Sequence, residues 1–140
     1  MIQMSIAEMA QIMEGRANGD VELSNQVQFH FDSREVKAGD IFLALKGERA
    51  DGHDYVADAI SRGAVLSIVS RAVSSPHILV GDVLVAIAKL ASYLRGELKG
   101  LKVIGITGSQ GKTTTKDLLF SILSNEGETI ASLASFNNEL

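Results

Sequence analysis

The sequence contains no cysteine, no long uninterrupted apolar run and no excess of basic residues, and each absence removes a class of function. Without cysteine, neither a disulfide framework nor a thiolate metal site can form, and a reducing compartment is compatible with the composition. The most apolar window, residues 78–94, is interrupted by Gly81, Asp82 and Lys89, which argues against a membrane span. The net charge of −4 is unfavourable for general binding to nucleic acid.

The N-terminus and the overall composition indicate an ordinary globular protein. The first 15 residues carry neither a basic segment nor a long apolar core, which argues against a secretory signal. The chain has 140 residues, enough for one domain or for one small domain and part of another. We therefore expect a cytoplasmic monomer with no membrane or nucleic-acid partner.

Mixed helix and strand patterns along the chain predict an α/β fold. Three helices are predicted before residue 98, at about residues 5–14, 54–62 and 82–97. Five short strands are predicted, at about residues 21–23, 27–31, 41–45, 65–70 and 77–80. The polar segment 96–102 (GELKGLK) separates two strongly patterned blocks, so we expect one domain at 1–98 and a second that begins at residue 99.

Residues 103–119 (VIGITGSQGKTTTKDLL) have the pattern of a buried strand, a glycine loop and a helix that begins at Lys112. Such a loop leaves several backbone N–H groups pointing into one concavity at the positive end of the helix dipole, which predicts a phosphate site. The general pattern G-x-x-x-x-G-K-[ST] has a glycine where this chain has Ile106, so the loop is a variant. The alternative is a glycine turn that carries lysine and threonine by coincidence.

The residue types in this loop predict individual roles. Lys112 can reach the β and γ phosphates of ATP and the Thr113 hydroxyl can bind Mg²⁺, so these two are the catalytic candidates. The nucleotide-binding candidates are the loop and first-turn residues, Gly108, Ser109, Gln110, Gly111, Lys112, Thr113 and Thr114. Thr115 is more simply interpreted as an ordinary first-turn residue of the helix.

The second block is short for a doubly wound domain. After the helix, which is predicted to run to about Ser124, only one further strand is expected, at 129–133. A single βαβ unit is too small to bury such a sheet. We therefore expect a fragment that is cut inside its second domain.

Two stretches, in this order, resemble the Mur ligases. Residues 107–113 match the family's ATP loop, T-G-[ST]-x-G-K-[ST], which likewise lacks the earlier glycine. Residues 31–64 are similar to the amino-terminal domain of the members that add the third residue and the terminal dipeptide to the peptidoglycan stem, with Ala38 where proline is usual. The resemblance implies a small mixed α/β amino-terminal domain, followed by the first βαβ part of a P-loop NTPase-like central domain.

Within the family, Lys116 and the FNNE segment 136–139 most resemble the members that add D-alanyl-D-alanine, although Ala134 and Ser135 replace the usual Gly-Asn pair. This implies ATP-dependent joining of D-alanyl-D-alanine to UDP-N-acetylmuramoyl-tripeptide through an acyl phosphate, with the fragment inactive by itself. Three alternatives stay open: a ligase that adds the third amino acid, another P-loop NTPase, and a UDP-sugar-binding module without catalysis.

By the same resemblance, two segments of the amino-terminal domain hold the UDP end of the substrate. The substrate-binding candidates are Asp32, Ser33, Arg34, Lys46, Gly47, Glu48, Arg49 and Ala50, with Asn137 and Asn138 near the C-terminus. Ser33 can donate to a uracil or phosphate oxygen, and Arg34, Lys46 or Arg49 can offset the diphosphate charge. The alternative is a solvated surface of mixed charge, because acidic residues lie among the basic ones.

The three histidines are interpreted as structural. His53 lies in a DGHD sequence with no other histidine or carboxylate at metal-ligand spacing, so we expect it to serve the start of a helix rather than to act as a ligand or base. His30 and His77 lie in strand-like runs and carry no functional signal.

Overall fold

The computed structural model describes residues 4–24, 27–47 and 50–132. The chain forms two compact units, Met1–Lys99 and Gly100–Leu140. Within the described ranges, every helix is too short or too polar to cross a bilayer.

The amino-terminal unit is built on a five-stranded sheet. Its strands are β1 (Arg16–Asn18), β2 (Phe29–His30), β3 (Ile41–Leu43), β4 (Leu66–Val69) and β5 (His77–Leu79). They lie in the order β1-β5-β4-β3-β2. Strands β2 to β5 are parallel to one another and β1 is antiparallel to β5, so the predicted α/β class is confirmed.

Three α-helices pack on this sheet, α1 (Ile6–Ile12), α2 (Val56–Ser61) and α3 (Val83–Glu97). Two short 3₁₀ helices, Ser33–Glu35 and Gly52–Tyr55, follow β2 and β3 respectively. The predicted capping box of α1 is present, because the Ser5 hydroxyl accepts from the Glu8 N–H and the Glu8 carboxylate accepts from the Ser5 N–H. Asp82 caps α3 as predicted, through a 2.9 Å bond from the Val85 N–H.

The core lies on both faces of the sheet. Ile41, Leu43 and Ile68 belong to a cluster that includes α1 and α3, whereas Phe42 and Val69 belong to a second cluster that includes α2. Successive side chains of a strand point to opposite faces, so a strand that is covered on both faces is apolar throughout. This explains why β3 and β4 are fully buried.

Two features of this unit differ from the sequence prediction. The strand expected at 21–23 does not form; Val21 and Leu23 instead pack, partly buried, against the core without joining the sheet. Strand β1 was not predicted, because its sequence Arg-Ala-Asn is exposed and has no apolar pattern. It pairs with β5 through backbone hydrogen bonds. A pattern of apolar side chains does not reveal such pairing.

The second unit contains α4 (Lys112–Leu123), in agreement with the predicted helix. The strands expected at 103–107 and 129–133 are not formed in the part of this unit that the structure describes, and Leu133 lies outside that part. Val103 and Ile130 are 66% and 91% exposed, and α4 has no buried residue. A strand is stabilised by the ladder it shares with a neighbour, and the described residues of this unit supply no such neighbour.

Candidate functional site

The two segments of the amino-terminal unit that the sequence predicts to bind substrate both follow parallel strands, so they lie at one edge of the sheet. Residues 32–34 follow β2 and residues 46–50 follow β3, and these two strands are parallel neighbours. The carboxyl ends of parallel strands meet at the same edge, where open α/β sheets bind their ligands. The sheet therefore brings together two segments that are separated by eleven residues of sequence.

Asp32 and Arg34 form a bidentate salt bridge at this edge of the sheet. The Asp32 carboxylate accepts from the Arg34 backbone N–H at 3.0 Å and from Nε and Nη2 of its guanidinium at 2.9 and 2.6 Å. These hydrogen bonds lower the pKa of Asp32 to about 2. The Arg34 side chain is 79% exposed, so its outer donors face solvent and can meet a second anion.

Ser33 is turned into the protein. It is buried and its hydroxyl hydrogen-bonds to the Asp58 carboxylate of α2, which is the main reason that the pKa of Asp58 is lowered. Arg62 Nε also donates to Asp58, at 2.9 Å. The Ser33 side chain thus joins the 3₁₀ helix to α2, and this bond competes with the donation to a uracil or phosphate oxygen that the sequence suggested.

The described ends of the segment after β3 lie close to each other. Lys46 and Asp51 pair as an antiparallel bridge, and the Gly47 N–H donates to the Ala50 carbonyl at 2.9 Å. Lys46, Gly47 and Ala50 are exposed, so they are available to a ligand. Glu48 and Arg49 lie outside the described residues.

His53 lies at the start of the 3₁₀ helix before α2, and its contacts agree with the structural role expected from the sequence. Its side chain is buried, Nδ1 is 2.6 Å from Asp51 Oδ1, and Nε2 accepts from the Ser70 N–H at 2.9 Å. Within the described residues, no group of three or more His, Asp or Glu side chains could hold a metal ion.

Sequence reasoning missed Arg71 at this edge. Its guanidinium donates to Asp54 at 2.7 Å and lies 3.7 Å from Asp51. Arg71 directly follows the strand predicted at 65–70, and its position at the end of that strand was the available signal.

The glycine loop of the second unit has the local geometry of a phosphate site. Gly111 is left-handed (φ 77°) and forms the N-cap of α4, and no side chain of a described residue caps the helix. A Cβ at Gly111 would meet none of the described residues within 4 Å, so the space at this position is open among them. The first N–H groups of a helix have no intrahelical acceptor, and in the described part of the chain no capping side chain accepts from them.

Lys112 folds back over this loop, with Nζ 2.5 Å from the Gly108 carbonyl oxygen. The ammonium group therefore lies beside the same loop that presents the free N–H groups. Thr113 and Thr114 are exposed, whereas the Thr115 hydroxyl donates to the Gly111 carbonyl of its own helix at 2.9 Å. That bond is typical of an ordinary helical threonine. The open helix start and Lys112 are compatible with a phosphate group, and the Thr113 hydroxyl, predicted from the sequence to bind Mg²⁺, is exposed beside them. Asn137 and Asn138 lie outside the described residues.

Comparison with protein families gives two matches along the chain. Residues 29–110 match the family model described as "Mur ligase family, catalytic domain". Residues 106–140 match a second one, described as "Mur ligase middle domain". The first match contains the segments 32–34 and 46–50, and the second contains Lys112 and Thr113.

Individual relatives agree with these matches. The UDP-N-acetylmuramoyl-tripeptide–D-alanyl-D-alanine ligase of Mycobacterium tuberculosis strain H37Rv is 39% identical over 171 residues, covering 100% of this chain and 33% of its own length. A crystal structure of MurF from Acinetobacter baumannii matches with a TM-score of 0.87 at 36% identity, covering 96% of this chain and 30% of that one.

A third relative was solved with a nucleotide. The MurF ligase of Thermotoga maritima in complex with ADP matches with a TM-score of 0.63 at 44% identity, covering 71% of this chain and 23% of that one. The chain thus spans about a third of the length of the curated relatives it matches.

Proposed function

Because the chain belongs to the Mur ligase family, we propose that it forms the UDP-binding part and the ATP loop of a ligase that joins D-alanyl-D-alanine to UDP-N-acetylmuramoyl-tripeptide. The observation that carries this proposal is the presence, in one chain, of the paired segments at the sheet edge and of the glycine loop with Lys112 folded over it. Relatives that carry this activity in their name match over the whole chain.

The reaction requires activation of a carboxylate. An amine does not displace oxide from a carboxylate at neutral pH, because oxide is too poor a leaving group. Transfer of the γ-phosphoryl group of ATP to the tripeptide carboxylate gives an acyl phosphate, and attack by the dipeptide amine then releases phosphate. In the first step the protein positions the groups and offsets negative charge.

The glycine loop is suited to that first step. The free N–H groups at the start of α4 would orient phosphate oxygens, and Lys112 would offset the charge of the β and γ phosphates. Mg²⁺, when bound, would add a second source of positive charge, with the Thr113 hydroxyl as one of its ligands. Since the described residues hold no cluster of three metal-ligating side chains, we propose that turnover requires groups outside these residues.

The sheet edge is assigned to the UDP end of the substrate. Arg34 and Lys46 are exposed cations on neighbouring segments, so they can meet the two phosphates from different sides. Asp32 holds the Arg34 guanidinium through two of its nitrogens, and Ser33 orders the 3₁₀ helix through Asp58. In this proposal Asp32 and Ser33 act by shaping the site.

Isothermal titration calorimetry with Lys112→Gln tests the assignment of the two sites. We expect ATP affinity to fall about tenfold or more, because a charged hydrogen-bond donor is lost, while affinity for UDP-N-acetylmuramoyl-tripeptide is unchanged. Lys102→Gln, which removes an exposed lysine from the same unit, is the matched control and should leave both affinities unchanged. Equal ATP affinity in Lys112→Gln and wild type would contradict the assignment, as would a wild-type chain that binds neither ligand.

The cytoplasmic location, the monomeric state and the absence of membrane or nucleic-acid partners stay predictions from the sequence. A UDP-sugar-binding module without catalysis is the second candidate, since the chain spans about a third of its relatives.

A further inference from the structure

His53 is a buried side chain at the sheet edge that the proposed reaction does not use. Its side chain is 3% exposed, and both ring nitrogens have partners. A backbone N–H can only donate, so Nε2 must be the acceptor for Ser70. Nδ1 therefore carries the hydrogen and donates it to Asp51. This arrangement requires one tautomer of the neutral ring.

Through Asp51, this histidine is connected to the chain segment that follows β3. Asp51 Oδ1 accepts two hydrogen bonds from His53, from the backbone N–H at 2.9 Å and from the ring at 2.6 Å. Asp51 also closes the loop by pairing with Lys46. Beside it, the Gly52 N–H donates to the Leu45 carbonyl at 2.7 Å. The loop is thus fixed at its base by Asp51, and Asp51 is fixed by His53.

The second ring nitrogen connects the loop to another strand. Ser70 directly follows β4, and its backbone N–H bond to Nε2 links the end of β4 to the loop after β3. The Ser70 hydroxyl also lies 3.3 Å from Nε2. Arg71, the next residue, lies 3.7 Å from the other carboxylate oxygen of Asp51. Two neighbouring strand ends are therefore held in one spacing by a single buried ring.

We propose that His53 is a positioning residue for the described ends of the loop after β3, Lys46–Gly47 and Ala50–Asp51. It fixes Asp51 against the end of β4 and so holds Lys46 and Gly47 in the shape that receives the UDP end of the substrate. The identity of that ligand rests on the function proposed above, but the ordering of the loop does not.

Two substitutions separate the two bonds of the ring. His53→Asn keeps an N–H donor near the position of Nδ1 and loses the acceptor for Ser70. His53→Gln keeps an acceptor near the position of Nε2 and loses the donor to Asp51. The matched control is His77→Gln. His77 is also buried, its Nδ1 lies 2.7 Å from the Ser75 carbonyl oxygen, and it begins β5, at the amino ends of the parallel strands.

The test combines amide hydrogen exchange at Gly47 and Gly52 with calorimetric affinity for UDP-N-acetylmuramoyl-tripeptide. We expect His53→Gln to speed exchange at both glycines, and to weaken binding, by about tenfold, because a hydrogen bond to a charged acceptor is lost. His53→Asn should change either quantity by less than about threefold, since the Asp51 bond is kept. His77→Gln should lower the melting temperature but change neither the exchange at Gly47 and Gly52 nor the affinity for the UDP substrate.

Equal exchange at Gly47 and Gly52 in His53→Gln and His77→Gln would overturn the proposal, because both would then act only through general stability. If His53→Gln does not fold, His53→Asn decides: fast exchange at both glycines despite the kept donor overturns it. A wild-type chain that does not bind the UDP substrate would refute the proposed function, while the exchange data would still decide the role of His53.

Discussion

At the scale of single residues, the sheet edge contains cations that are paired with carboxylates of their own chain. Arg34 is held by Asp32, Arg71 by Asp54 and Asp51, and Arg62 by Asp58. Exposed pairs of this kind contribute little to stability, but they fix the direction of a long side chain. An arginine that is already oriented loses less conformational entropy when it meets an anion, which suits a site for a diphosphate.

The Asp32–Arg34 pair gives a pH dependence with a definite sign. The pKa of Asp32 is lowered to about 2 in the folded protein, chiefly by the hydrogen bonds from Arg34. A carboxylate with a lowered pKa stabilises the fold above its ordinary pKa of about 4, and this contribution is lost as the pH falls toward 2. We therefore expect Asp32→Asn to show a shallower loss of unfolding free energy than wild type between pH 4 and pH 2.

Urea unfolding at several pH values measures this difference. Asp20→Asn, at an exposed position after β1, is the control and should follow the wild-type curve. If the unfolding free energies of Asp32→Asn and wild type fall in parallel with pH, the Asp32–Arg34 salt bridge contributes nothing to the loss of stability in acid.

At the scale of elements, Gly52 lies close to Ala44 and Leu45, the two residues that follow β3. This close approach holds the loop after β3 at the edge of the sheet. A Cβ at Gly52 would lie 2.6 Å from the Leu45 carbonyl oxygen and 2.7 Å from its nitrogen. These are backbone atoms, which cannot move aside without disturbing the end of β3. Glycine is therefore required here by space, although DGHD looks from the sequence like an ordinary turn.

Gly52→Ala should destabilise the protein by about 2 kcal/mol, because the added methyl group overlaps backbone atoms. Gly81→Ala is the matched control, since a Cβ there would meet none of the described residues within 4 Å, and its effect should stay within about 0.5 kcal/mol. Chemical denaturation of the two variants checks the comparison. Similar losses in both would mean that the chain after β3 yields easily and that Gly52 does not fix the loop.

The helices and central strands of the amino-terminal unit could be predicted because local signals specify them. The Ser5 and Glu8 capping box, the Asp82 cap and the apolar runs of β3 and β4 are patterns of neighbouring residues. Strand β1 depends on backbone pairing with β5, and the Asp32–Arg34 salt bridge depends on side-chain geometry. Backbone pairing and side-chain geometry leave no periodic pattern in the sequence, so these two features could not be predicted from it.

The strands predicted at 103–107 and 129–133 are not formed in the described residues, because strand formation also depends on partners that are distant in sequence. Their apolar residues are correct for a buried strand, but Val103, Ile104 and Ile130 are all exposed in this unit. An apolar pattern shows that a segment can form a buried strand when a neighbouring strand is available. The described part of this unit contains no such neighbour. The glycine loop is different, because the geometry of Gly111 and Lys112 is local and the start of the helix alone provides it.

At the scale of the whole molecule, the two units carry the two halves of the proposed chemistry. The amino-terminal unit has cores on both faces of its sheet and presents the edge assigned to UDP. The second unit presents the glycine loop at the start of α4. The curated relatives are about three times as long as this chain, so the proposed activity belongs to a protein of that length.

If this chain is part of a ligase that adds D-alanyl-D-alanine, the full-length protein must select a particular acceptor and a particular amine. Full-length protein containing this chain would be incubated with ATP and Mg²⁺ in two reactions: UDP-N-acetylmuramoyl-tripeptide with D-alanyl-D-alanine, and UDP-N-acetylmuramoyl-dipeptide with single amino acids. Mass spectrometry would identify the product. We expect the pentapeptide product from the first reaction alone, with one ATP consumed for each product molecule. A tripeptide product from the second, with none from the first, would contradict this expectation.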